Sequence, residues 1–118
     1  MAGLRTYTVQ ESENVDLGQL GSMYTINGQA AITPPSGHVF VAIQSLSDYL
    51  SFDDTGGLVS EDNNRFINSE SDSQGGAESD NGGEQMGDLV GIPPGTIIYG
   101  RWTEIDLKYG SCIAYIGK

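Results

Sequence analysis

The stretch from Gly87 to Lys118 constrains the fold most, because two long apolar runs there are joined by a break too short for anything but a corner. After Pro93-Pro94-Gly95 come Thr96, Ile97, Ile98, Tyr99, Trp102, Thr103 and Ile105. These are β-branched and aromatic side chains, which fit a pleated, half-buried surface. Asp106 to Gly110 is a polar corner, and Ser111 to Ile116 is apolar again. Two such runs around a glycine-containing turn predict a β-hairpin. The hairpin is expected at the centre of a sheet, with the remaining strands added to it.

The rest of the chain supplies those strands. Leu4 to Val9 alternates apolar and polar residues and reads as an edge strand. Gly18 and Gly21 argue against a helix over residues 15–21. Ser22 to Asn27 reads as a strand closed by Asn27-Gly28, with Gln29 to Thr33 expected to return antiparallel. Pro34 to Gly37 breaks the chain. His38 to Leu46 then places Val39, Val41 and Ile43 on one side and Phe40 and Ala42 on the other. A strand apolar on both sides is buried on both, inside a sandwich or at a subunit contact. Asp48 to Asp54 is a short strand ending at Thr55-Gly56-Gly57. Residues 68–86 form an acidic low-complexity segment in which Ala77 and Met86 are the only apolar side chains. Such a segment buries too little surface to offset its own ordering.

With 118 residues, 17 of them glycine, and no helical periodicity, the chain is expected to be a single all-β domain over 1–118. The expected architecture is an antiparallel β-sandwich or barrel of jelly-roll-like type, carrying the long acidic Gly/Ser-rich loop. Sixteen Asp and Glu face five Lys and Arg, a formal net charge of −11. That balance argues against nucleic acid, whose phosphates need clustered cations, and favours a protein that resists random association. No apolar run approaches the length of a membrane span, so no membrane is expected. Met1-Ala2-Gly3-Leu4-Arg5 lacks the pattern of a secretory signal. The one cysteine, Cys112, has no internal disulfide partner and reads as a small buried residue.

Glu70, Asp72, Glu78, Asp80 and Glu84 offer oxygens for calcium, but the EF-hand spacing is absent and a solvated linker has the same composition. Asp53 and Asp54 point to opposite faces of a strand and suit a turn better than an acid/base pair. His38 is the single histidine, so zinc clusters and a Ser-His-Asp site lack their parts, and no G-x-S-x-G occurs. No constellation supports an enzyme, and no cofactor is expected. Phe40, Ile98, Trp102, Cys112, Ile113 and Tyr115 are the candidate core, with Gly100 leaving room for a crossing chain. Val39, Val41, Ile43, Tyr99 and Arg101 are the candidate interface, Tyr and Arg being enriched at protein contacts. A carbohydrate platform would also use Tyr and Trp.

The motif Ile98-Tyr99-Gly100-Arg101-Trp102-Thr103, the glycine-led ending Ile113-Ala114-Tyr115, and the run from Ala31 to Leu46 carry a resemblance. Over about half its length the chain resembles small structural proteins of marine tailed bacteriophages, including cyanophages. The resemblance implies a virion component assembled in the host cytoplasm, and first of all a capsid decoration (cement) protein on the head surface. Its implied partners are the major capsid protein and further copies of itself, as a trimer. A tail, neck or fibre-associated protein that binds host-surface glycans is the alternative. The resemblance transfers no catalytic residue.

Overall fold

The computed structural model describes residues 19–62, 65–69 and 85–118. Its elements are all strands: β1 (Ser22–Ile26), β2 (Val39–Ser45), β3 (Ser51–Phe52), β4 (Leu58–Ser60), β5 (Ile97–Ile105), β6 (Leu107–Tyr109) and β7 (Ser111–Gly117). A five-stranded sheet has the order β1-β7-β2-β5-β4, and β3 and β6 form a second, two-stranded sheet. Every pairing is antiparallel. The larger sheet is open, with β1 and β4 at its edges among the described residues. Among the described residues the fold is an all-β sandwich. The expected edge strand Leu4 to Val9 lies outside the described residues.

The expected hairpin does not form. β5 and β7 both belong to the five-stranded sheet, but β2 lies between them and pairs with each. The corner that was to join them contains β6, which pairs with β3 in the other sheet. Leu107 explains the detour. It is an apolar residue in the polar corner, and it is buried against the core. The chain thus crosses from one layer to the other and back, and the doubly apolar β2 fills the sheet centre, where all its residues but Val41 and Gln44 are buried.

Register shifts decide what faces inward. Between Phe40 and Ala42 the β2 pairing slips against both neighbours. Against β7 Val41 is the extra residue of a β-bulge, whereas against β5 the extra residue lies on β5 between Tyr99 and Trp102, and each bulge breaks the alternation of sides. Phe40 and Ile43, three positions apart, consequently both enter the core. A second slip, where β4 pairs with β5, lets Trp102 and Ile105 do the same. Trp102 is fully buried and donates its indole N–H to the Ile67 carbonyl at 2.7 Å. Gly100 makes room for that indole, not for a crossing chain: a Cβ there would lie 2.6 Å from Trp102 Cζ2.

Asn27-Gly28 turns the chain as its sequence demands, with Gly28 at φ 92° and the Gln29 N–H on the Ile26 carbonyl. Residues 29–33 do not return along β1, however. Ile32 instead bridges Ile105 through a pair of backbone hydrogen bonds of 2.9 and 3.0 Å. The ends of the acidic segment also differ from expectation. Asn68 and Ser69 are fully buried. The Ser69 N–H donates to the Leu58 carbonyl, its Oγ accepts the Leu58 N–H, and the Met86 N–H donates to the Asn68 carbonyl. These bonds fasten the two ends together, a satisfaction of buried polar groups that composition cannot register. Residues 70–84, with all five calcium-candidate carboxylates, lie outside the described residues.

Candidate functional site

Register assigns each strand residue to a face. Met23, Thr25, Phe40, Ile43, Ser45, Ile98, Trp102, Cys112, Ala114 and Ile116 turn inward. The opposite face carries two rows that run across the strands. One row is Ser22, Tyr115, Ala42 and Tyr99, and the next is Tyr24, Ile113, Gln44 and Ile97. Neighbours within a row stand about 5 Å apart. Ala42 is fully buried despite facing outward, between Tyr115 and Tyr99 of the flanking strands. The Tyr115 hydroxyl donates to Gln44 Oε1 at 3.0 Å.

This outer face is in solvent. Tyr24 and Tyr99 are 60% and 59% exposed, and Ile26 beside them on β1 is exposed too. Ile97, Ile113 and Tyr115 are half-exposed. At the β1 edge the surface turns into a cleft of about 500 Å³ between Tyr24 to Ile26 and Gln29 to Ile32. Aromatic and aliphatic groups thus form one continuous patch bearing neutral hydrogen-bonding groups and no charge in its two central rows. Soluble monomers rarely leave such a patch contiguous unless something binds it.

The candidate interface residues divide. Tyr99 lies on this face. Arg101 borders it, paired with Glu61 and donating from Nη2 to the Lys118 carbonyl at 3.0 Å. Val41 is half-buried and packs over Gly117, where a Cβ would meet its Cγ1 at 2.5 Å. Val39 is buried and Ile43 is wholly inside the core, so neither has surface to offer a partner. The bulge is the reason for Ile43.

Of the candidate core residues, Phe40, Trp102 and Cys112 are fully buried, and Ile98 packs against the cluster. Ile113 and Tyr115 belong to the outer face, since they alternate with Cys112, Ala114 and Ile116. Tyr24 and Ile26 were missed by the sequence reading, although the alternation in Ser22 to Ile26 marks one polar-tipped side of a strand.

The other chemical candidates are scattered. His38 holds its Nδ1 on the Ser36 carbonyl at 3.0 Å, at a turn. Asp54 Oδ1 accepts the Asp88 N–H at 2.9 Å, whereas Asp53 lies by Asp106 and donates its N–H to the Asp106 carbonyl. Burial, and then the charge of Asp53, raise the Asp106 carboxyl above the usual range. Among the described residues, no group of three or more His, Cys, Asp or Glu could hold a metal ion.

Cys112 sits mid-strand, and burial pushes its thiol up from the ordinary 9.0 to about 12. The folded state therefore keeps a proton that the unfolded chain loses first, and stability from this group is full below pH 9 and drains away between pH 9 and 12. Native protein at pH 8 is expected to resist a thiol reagent that labels it promptly in denaturant. Cys112→Ala is expected to remove part of the alkaline fall in stability. Rapid labelling of the native protein would contradict this placement.

No protein-family model matches the chain, and no curated protein or solved structure matches it.

Proposed function

We propose that this protein is a virion structural component, a decoration (cement) protein that docks on the phage head lattice through the open face of its five-stranded sheet, without catalysis. The observation that carries the reading is the uncharged patch of Tyr24, Ile26, Ile97, Tyr99, Ile113 and Tyr115 left in solvent on a rigid sheet. The resemblance of its strands to phage structural proteins supplies the partner, the major capsid protein. The net charge of −11 fits the same role. Free copies repel one another in the host cytoplasm and gather, as trimers, on lattice sites of complementary charge.

A tail or fibre protein that holds host glycans is the second reading, favoured by the exposed rings of Tyr24 and Tyr99. It ranks behind because Trp102, the strongest stacking residue in the chain, is buried under the sheet.

Quantitative mass spectrometry of purified particles tests the assignment. Near-stoichiometry with the capsid protein is expected. A few copies per particle would move the protein to the tail, and its absence would remove both readings. The double substitution Tyr24→Ser/Tyr99→Ser is expected to leave the melting temperature nearly unchanged while reducing lattice occupancy about tenfold or more, the loss of ~1.4 kcal/mol of binding. Full occupancy by the double variant would exclude this face as the contact.

A further inference from the structure

The turn at residues 87–90 holds the feature that the open face leaves unexplained. Leu89 is 90% exposed, more than any other large apolar side chain among the described residues. A scattered surface leucine is ordinary; this one is held in place by an unusual number of supports. The Val90 N–H closes the turn on the Gly87 carbonyl at 3.1 Å, and the Asp88 N–H donates to Asp54 Oδ1 at 2.9 Å. The Tyr49 hydroxyl donates to the Asp88 carbonyl at 3.4 Å, and Gln85 Nε2 donates to the Ser69 carbonyl at 2.7 Å. Glycines flank the turn, and the side chains that brace it pack directly on them. A Cβ on Gly87 would lie 2.2 Å from Asp54 Oδ1, and one on Gly91 would lie 2.1 Å from the Tyr49 ring. Met86 and Ile92 then anchor both ends in the core.

The chain thus commits the side chains of Tyr49 and Asp54, on either side of β3, to fixing a backbone whose apex adds nothing to its own core. A preorganised apolar apex loses little freedom on insertion, which is what an anchor residue needs. Val90 beside it is also exposed, and Tyr49, bonded to Asp88, is exposed and packs edge to face on Tyr109 at 6.0 Å. Asp54 and Asp88 put acid beside the apex, and the whole chain is acidic. Charge complementarity therefore selects a pocket bordered by Lys or Arg and disfavours a second copy of this chain.

Ile92 pairs with Leu50 immediately before β3, so the turn borders the two-stranded sheet and not the outer face of the five-stranded one. We propose that Leu89 is an anchor that enters an apolar, cation-bordered pocket on a second lattice subunit, so that one copy bridges two. This inference rests on the docking role proposed above and adds the second contact that cementing requires.

Site-specific photocrosslinking in assembled particles tests it, with photo-leucine at position 89 and a benzophenone amino acid at position 99. Position 89 is expected to label an apolar capsid segment next to Lys or Arg, different from the segment labelled at position 99. Leu89→Ser is expected to lower occupancy about tenfold with an unchanged melting temperature. Labelling at 99 alone, with full occupancy of Leu89→Ser, overturns the anchor and leaves the open-face reading standing. Labelling of one common segment overturns the bridge. No label at either position, or no protein on the particle, overturns both proposals.

Discussion

Trp102→Ala is expected to cost about 3–5 kcal/mol of folding stability, the usual range for removing a buried aromatic side chain. That is a large share of the roughly 5–15 kcal/mol available to a domain. The side chain joins several strands of the core. It pairs across β2 with Phe40 and across β4 with Ser60, it fills the space Gly100 leaves, and its indole N–H satisfies the Ile67 carbonyl. Its loss opens a cavity and takes the indole donor from the part-buried Ile67 carbonyl. Trp102→Phe separates the two effects, since it keeps most of the ring volume and loses the hydrogen bond, at about 1–3 kcal/mol. Denaturation has to be followed by circular dichroism, because the chain has a single tryptophan. A melting temperature within a degree of wild type would contradict the packing described here.

Gly110→Ala is expected to be comparably damaging, by about 2–6 kcal/mol, from backbone strain together with overpacking. Gly110 has φ 88°, and a Cβ there would lie 2.4 Å from the Tyr49 carbonyl oxygen, 2.4 Å from Ser47 Oγ and 3.0 Å from Leu50 Cα. Backbone atoms cannot swing aside as a side-chain tip can. The position also ties the layers together: its carbonyl accepts the Asn27 N–H, and the next residue, Ser111, donates to Ser47 Oγ. Gly28→Ala is the control. It shares the positive φ but has nothing within 4 Å of the new methyl group, so only the strain of about 1–2 kcal/mol applies. Equal effects of the two substitutions would show that the collision at Gly110 is relieved at little cost.

Several parts of the molecule were legible in one dimension for local reasons. The run of Val39 to Ile43 is apolar at successive positions, which suits a central strand, so its burial follows without knowing its neighbours. Asp53 and Asp54 precede Thr55-Gly56-Gly57, and their separate backbone roles agree with turn chemistry. Tyr99 was readable as a surface residue because it alternates with Ile98 in a strand of clear period. Leu89 and Tyr24 were not readable as exposed. Pattern arguments assign apolar residues to the interior, and Gly87 to Gly91 is too short to have a period at all.

The failures share one cause. Local pattern takes consecutive strands for partners and unbroken alternation for a fixed face, whereas partner choice and register are settled by contacts distant in sequence. The sequence by itself determined that this chain is all-β, that Phe40 and Trp102 are core, and that Asn27-Gly28 turns, because each follows from side-chain chemistry and φ/ψ preference within a few residues. Only the tertiary structure decided that β2 separates β5 from β7, that bulges turn both Phe40 and Ile43 inward, and that tyrosines from β1, β5 and β7 come to lie on one open face. Those outcomes depend on which strands meet, and that is settled by burying Leu107, Trp102 and Ile43 in one core at once.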